Sequence, residues 1–401
     1  MRLSPSRRAR RVALGGAAFV ALATVAAACD YGPDGDPDVL AYVGSDTTQD
    51  VTGAILDSYE ADTAYNDDPD IPGDDRDDNF NVLSVQGTPL TVPGDEHCGP
   101  NTYHTPPGPG EVVAPNGSTA GRDALKASPG CIDVARSSSG PRPIGGGAGQ
   151  DPASFQYFAF GLDAVGWSSA SAAAPANLTL AQLRGIYNCT FTNWNQVGGG
   201  NQPIERYYAQ PGSGTRAFFQ SDVLGFDPFL FSGPGCPLPI DAQENQGLTI
   251  AANGDQQSAI MPFSGANYIA MSTGAIPDQR AGQVIRDLDG QNITFNSGGT
   301  LVPNTPQASG NPNAPVQESN VRLVDPTPAY VGVRFVFNVA DDASPSYDSA
   351  KRYVGFDNVT EGETSPLCSG GKASIITHYG FGTLDNTTGP QNVPGSNCRN
   401  Y

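Results

Sequence analysis

The chain has 401 residues, with 21 Lys and Arg against 41 Asp and Glu, a formal net charge of −20. A surface this acidic repels nucleic acid and anionic membrane, so neither is an expected partner. The chain holds only three histidines, His97, His104 and His378, and contains no Cys-x-x-Cys, no His-Glu-x-x-His and no Gly-x-Ser-x-Gly, which leaves thin material for metal or nucleophilic catalysis.

Arg2, Arg7, Arg8, Arg10 and Arg11 form a basic start, residues 12–28 are uncharged and apolar or small, and Cys29 follows. This predicts a signal peptide over residues 1–28 rather than a membrane span. Ala26-Ala27-Ala28-Cys29 resembles a bacterial lipobox, which predicts lipidation of Cys29. Ala26 stands where such motifs usually carry Leu, so ordinary cleavage is the alternative. Ser6-Arg7-Arg8 is similar to a twin-arginine signal. Residues 29–38 are rich in Gly, Pro and Asp and read as a tether.

Residues 39–43 form an apolar run that predicts a buried strand. It ends in the turn Gly44-Ser45-Asp46-Thr47-Thr48, and Val51, Ile55, Leu56 and Tyr59 then repeat at helical spacing. Residues 62–79 and 88–113 read as loops, the first acidic and the second rich in Pro and Gly. Asn116-Gly117-Ser118-Thr119-Ala120-Gly121 precedes a second helix through Arg122 and Leu125. Residues 140–149 are a Pro/Gly break, and residues 155–167 read as a buried strand. Residues 178–187 predict a helix with Asn177 as its cap and Leu180, Leu183 and Ile186 on one face. A strand over 203–210 enters the turn Gly212-Ser213-Gly214-Thr215, which opens another helix. Residues 259–271 read as strand plus turn, 291–316 as an insertion loop and 331–339 as a strand.

Strands alternating with helices indicate an α/β fold. The mature chain is long for one core and predicts two lobes with a hinge and an interlobe cleft: residues 39–145, then 146–325, with 326–401 returning to the first lobe. Crossings are expected near 140–149 and 322–331. With Cys29 set aside for lipid, Cys98, Cys131, Cys189, Cys236, Cys368 and Cys398 remain. An even number in an exported chain predicts disulfides, paired in sequence order. His97, Cys98 and His104 are close in sequence, but a disulfide cysteine in a loop is preferred to a metal site there. No metal and no cofactor are expected.

The three Gly/Ser/Thr turns carry the chemistry. A helix start presents unpaired N–H groups and the positive end of a dipole, glycine lets backbone approach a ligand, and Ser and Thr add hydroxyl donors. Three such turns, each before a helix, suggest convergence on one anion.

The order of these motifs resembles the substrate-binding protein of the phosphate ABC transporter, a type II periplasmic-binding-protein fold. Gly44-Ser45-Asp46-Thr47-Thr48 resembles its first anion loop, and Asn116-Gly117-Ser118-Thr119-Ala120-Gly121 its second. Ile132-Asp133-Val134-Ala135-Arg136-Ser137-Ser138 is similar to a strand end that closes on Ser-Asp in the family. Residues 180–195 resemble its helix before a Trp-Asn pair. Gly212-Ser213-Gly214-Thr215 matches its Gly-Ser-Gly-Thr signature, and Ala259-Ile260-Met261-Pro262-Phe263 sits where the family has Ala-Ile-Gly-Tyr.

The resemblance implies capture of phosphate, or a similar tetrahedral oxyanion, by a monomer that delivers it to an ABC permease at the outer face of the cell membrane. The implied donors are Thr47, Thr48, Ser118, Thr119, Ser213, Gly214 and Thr215. Two positions depart. Ala209 stands where the family has Arg, and Ser138 where it has the Asp that accepts the proton of hydrogen phosphate. Arg136 or Arg216 is then the candidate cation, against a structural ion pair and a solvent-facing arginine. Asp46 or Ser138 is the candidate acceptor, although Asp46 also reads as a helix cap outside the cleft. A secreted phosphatase or other hydrolase is one alternative, although no histidine lies near a motif serine. A surface receptor or adhesin that has lost transport is the other.

Overall fold

A computed structural model describes residues 39–60, 79–82, 89–91, 111–113, 115–127, 132–355, 365–384 and 398–401. The leader, the tether, Cys29, Cys98 and Cys131 lie outside these residues, as does most of the two loops expected over 62–79 and 88–113.

One mixed sheet organises the described chain. Along its path the strands run Asn79–Val82, Val39–Gly44, Val134–Ser137, Val333–Asp341, Phe155–Ser169, Ala259–Ser264, Glu205–Ala209 and Ile240–Ala242. Val39–Gly44 pairs in parallel with both of its neighbours. Its apolar run is explained by burial on both faces: Leu40 and Tyr42 join one core, Ala41 and Val43 the other. Helix Gln49–Glu60 covers the first face with Val51, Ile55, Leu56 and Tyr59, and helix Ser118–Ala127 covers the second with Ala124 and Leu125. The expected α/β class is therefore present, with helices on both faces of a largely buried sheet.

Phe155–Ser169 is the spine. Residues 155–164 pair antiparallel with Val333–Asp341, from Phe155 against Asp341 to Ala164 against Val333. From Val165 onward the partner is Ala259–Ser264, with Val284–Leu288 also paired to the end of the strand. The change of partners thus falls inside one strand, beyond the Pro/Gly break at 140–149. All nine residues of Val333–Asp341 are buried, which accounts for its alternation of aromatic and aliphatic residues with Arg334 and Asn338.

Local readings were corrected in three places. Thr179, not Asn177, caps helix Leu180–Tyr187: its hydroxyl accepts from the Gln182 N–H while Gln182 bonds back to the Thr179 N–H. Asn177 is withdrawn into a short strand with Leu178, paired to Asp287 and Leu288. The turn expected after Ala259–Ser264 is helix Gly265–Thr273, capped by the Ser264 hydroxyl. The insertion loop over 291–316 contains a hairpin, Thr294–Ser297 against Thr300–Pro303, closed by Gly298 and Gly299 at positive φ.

Cys189 pairs with Cys236, and Cys368 with Cys398, as sequence order predicts; the third expected pair, Cys98 with Cys131, lies outside the described residues. Loops closed over separations of 47 and 30 residues restrict the unfolded chain. Removing either described bridge by a double Cys→Ala substitution should lower stability by ~2–4 kcal/mol. Denaturant unfolding checks this, and a midpoint coincident with wild type would count against it.

Candidate functional site

The ends of the sheet strands bring four separate segments to one buried point. The Val39–Gly44 strand delivers Ser45 and Thr47. The turn before helix Ser118–Ala127 delivers Ser118, the end of Val134–Ser137 delivers Ser138, and the turn after Glu205–Ala209 delivers Ser213, Gly214 and Thr215. The Ser138 Oγ lies 3.1 Å from Ser45 Oγ and 3.3 Å from Ser118 Oγ, and the Ser138 N–H donates to Ser118 Oγ at 2.9 Å. Thr47 Oγ1 lies 3.5 Å from Thr215 Oγ1. Ser213 caps helix Gly214–Phe218, its hydroxyl accepting from the Arg216 N–H at 3.0 Å.

Glycine allows this approach. Gly117 has φ +102°, and a Cβ there would lie 2.4 Å from the Gly212 carbonyl oxygen. A Cβ on Gly214 would lie 2.2 Å from Ser118 Oγ and 2.5 Å from Ser138 Oγ. The Thr119 N–H donates to the Gly212 carbonyl at 3.0 Å, tying the second turn to the third. No larger residue fits at 117 or 214 without separating the turns.

Of the residues singled out in the sequence, Thr47, Ser118, Ser138, Ser213, Gly214 and Thr215 come together. Thr119 spends its backbone on the turn-to-turn bond and lines an adjoining cavity of about 700 Å³ with Ser213 and Arg334. Thr48 is buried with no hydrogen-bond partner for its hydroxyl among the described residues.

The two candidate cations are placed elsewhere. The Arg136 guanidinium donates to the Tyr42 carbonyl at 2.9 Å and the Ser45 carbonyl at 3.3 Å, so it braces the first turn from beneath. Burial lowers its pKa to about 10, against the opposing influence of Asp46 and Asp50. Arg216 is committed to Asp241 at 2.6 Å and to the Ala209 carbonyl at 2.8 Å, and it stacks 4.3 Å over the Phe229 ring.

Asp46 stands at the rim, where it accepts from Gln243 at 2.7 Å and Gln210 at 3.3 Å, and it faces a second cavity of about 380 Å³ with Gln49, Asp50 and Glu244. Burial, and then the nearby Glu244, push its carboxyl up to about 8.

Two charged residues and one amide that sequence reasoning missed complete the cluster. The fully buried Glu244 accepts from the Ser213 hydroxyl and from Thr47 Oγ1 at 3.4 Å. Arg334 donates from Nη2 to Thr215 Oγ1 at 3.0 Å and to Thr47 Oγ1 at 3.5 Å, while Nε and Nη2 hold Asp163 at 3.0 and 2.7 Å. Asn245, at φ 58°, donates to Thr47 Oγ1 at 3.2 Å and accepts from the Ser264 N–H at 3.0 Å. The polar run Gln243-Glu244-Asn245-Gln246 was the available signal for Glu244; nothing in the strand pattern singled out Arg334. The cluster can therefore donate from hydroxyls and a guanidinium and accept through one carboxylate, in surroundings where such bonds are stronger than in water.

His378, the only histidine among the described residues, ends helix Ala373–His378 and packs edge-on to Tyr379. No helix among the described residues is long and apolar enough to cross a membrane.

No curated protein sequence matches the chain. Among solved structures, an ABC-type phosphate transport receptor from Vibrio cholerae is 17% identical, with 86% of this chain and 99% of that chain covered and a TM-score of 0.47. A phosphate-binding protein from Stenotrophomonas maltophilia is 14% identical, covering 86% and 90%, with a TM-score of 0.42. A family model described as the PBP superfamily domain matches residues 104–353, more than half of the sequence; the chain belongs to the PBP superfamily.

Proposed function

We propose that this chain is an extracellular solute-binding protein that captures phosphate, or a similar tetrahedral oxyanion, for an ABC-transporter permease. The observation that carries this reading is the convergence of Thr47, Ser118, Ser138, Ser213 and Thr215 from four separate segments. Such a set of hydroxyls satisfies several oxygens of one small anion and gives little grip on an apolar ligand. The resemblance of the turns to those of phosphate transporter binding proteins supports the same ligand, as do the phosphate proteins among its structural matches.

The protein works as a monomer whose two lobes, residues 39–145 with 326–401 and residues 146–325, close over the anion about a hinge. Cys29 carries the lipid anchor that holds it at the outer face of the cell membrane. Turnover is not expected. The Ser213 hydroxyl is engaged by Glu244 rather than by an imidazole, which leaves the hydrolase reading without its usual base.

Glu244 takes the acceptor role for which Asp46 and Ser138 were considered. A carboxylate among the ligand's donors accepts a proton carried by hydrogen phosphate and repels the bare oxygens of sulfate. Glu244→Gln should therefore reduce the preference for phosphate over sulfate in competition calorimetry. An unchanged preference would remove Glu244 from selectivity.

Ser213→Ala and Thr215→Ala should each weaken phosphate binding by about 1.5–3 kcal/mol, the size of a hydrogen bond to a charged group. Calorimetry of the two variants tests the site, and undiminished affinity in both would mean that these hydroxyls only cap the helix.

Asp46 gives a pH signature. Its carboxyl is raised to about 8, so it is largely neutral at neutral pH and gains a negative charge as pH rises through that value. Phosphate affinity should fall more steeply from about pH 7 to about pH 9 in wild type than in Asp46→Asn, where only the ligand's own ionisation remains. Parallel slopes in the two proteins would exclude Asp46 as the cause.

A further inference from the structure

We propose that Arg334 is the cation that neutralises the bound oxyanion, supplied by strand Val333–Asp341 instead of by the strand that leads into the Gly212-Ser213-Gly214-Thr215 turn. This assignment rests on the functional reading above and adds the residue that carries the charge. Ala209, the last residue of strand Glu205–Ala209, is fully buried and offers no side-chain donor. Arg216 is bound to Asp241, and Arg136 is bound to the carbonyls of Tyr42 and Ser45. Arg122 is bound to Gly140, Tyr157 and Ser139. Arg136 Nη2 and Arg122 Nε also lack a hydrogen-bond partner among the described residues, but none of these guanidiniums bonds a hydroxyl of the cluster.

Arg334 is. Its side chain is 3% exposed, and Nη1 has no hydrogen-bond partner among the described residues. A buried N–H left unpaired is costly, and buried guanidinium nitrogens normally find an acceptor. This one belongs to a side chain that lines the 700 Å³ cavity beside Ser213, and its Nη2 already touches Thr47 and Thr215. An anion held by those two hydroxyls would lie within reach of the same guanidinium, and one of its oxygens would give Nη1 an acceptor. Charge-assisted donors in fork geometry suit a tetrahedral oxyanion.

The guanidinium is also fixed in place. Arg334 and Asp163 are direct cross-strand partners. Asp163 Oδ2 accepts from Nε and Nη2, and Oδ1 accepts from the Ser264 hydroxyl at 2.8 Å and the Ala266 N–H at 3.1 Å. The Phe218 ring centroid lies 5.6 Å from the Arg334 Cζ. Asp163 is thus a positioning residue that holds Nε and Nη2, keeps Nη2 against Thr47 and Thr215, and leaves Nη1 without an acceptor among the described residues. The pair sits two residues before Val165, where the long strand changes partners, so the ligand's charge is met at the junction of the two sheet halves.

The test compares phosphate binding by calorimetry in wild type, Arg334→Lys and the double variant Arg334→Met/Asp163→Asn. The double variant removes both buried charges together, so neither is left unpaired. It should melt close to wild type without ligand and bind phosphate at least ~30-fold more weakly, while Arg334→Lys, which keeps a charge but loses the fork, should fall between the two. A folded double variant with wild-type affinity overturns the proposal. If that variant does not fold, wild-type affinity in Arg334→Lys overturns it and a weakened affinity supports it. A wild type that binds no phosphate overturns the functional reading, and this assignment with it.

Discussion

A buried ion pair lies at the point where one strand changes neighbours and ties the hydroxyl cluster to both halves of the sheet. Arg334 and Asp163 face each other across the last part of the pairing between Val333–Asp341 and Phe155–Ser169, and both are almost wholly removed from water. Desolvating two charges costs several kcal/mol each, and attraction offsets that only with good geometry and further hydrogen bonds. Here the further bonds come from both sides of the junction. Ser264 and Ala266 serve Asp163 from the second half, and Thr47 and Thr215 receive Arg334 from one half each. Apart from Arg334 Nη1, the pair's hydrogen bonds are made only when strands and turns from both halves are in place. Its stability and the geometry of the hydroxyl cluster therefore depend on the same assembly.

The sequence made the local chemistry legible and the long-range chemistry obscure. Gly212-Ser213-Gly214-Thr215 could be read because its glycines, its cap and its helix are adjacent in the chain, and the structure has Ser213 capping the helix. Val39–Gly44 could be read because a continuous apolar run is what a strand buried on both faces requires. Arg334 could not. Within an alternating strand an arginine reads as the outward residue, and only the register against Asp163 turns it inward. Glu244 and Asn245 were hidden for a related reason: they lie in a polar segment without periodicity, and Asn245 enters the left-handed region, which sequence pattern does not report. The two arginines that were considered lie beside motif residues in sequence. Each, however, had a nearer partner in space, Asp241 for Arg216 and two backbone carbonyls for Arg136.

The acidic composition and the chemistry of the cleft are compatible because they act at different ranges. The net charge of −20 acts through water and salt, which screen it within about 8–10 Å at physiological ionic strength. The cluster acts through contacts near 3 Å in a region with little water. Asp46 lies between these regimes at the rim, and burial together with Glu244 disfavours its ionised form. Arg136 balances the acidic first turn from below while leaving the hydroxyls above it uncommitted to any cation of that strand.

The contacts of Gly117 and Gly214 have a mechanical meaning. Backbone at 117 meets backbone at 212, and the space beside the Gly214 Cα is already taken by Ser118 and Ser138. The turns at 117 and 212 are in touch along bare main chain, so the spacing between them is set by the backbone itself. At 117 the gap is then set by backbone atoms that have no rotamers to adjust, and at 214 by the side chains of Ser118 and Ser138. A ligand cannot draw these two turns closer by binding more tightly, and a bulkier residue at 117 would wedge them apart. Rejection of small anions that leave the donors unfilled would follow from this fixed gauge, before any difference in charge is felt.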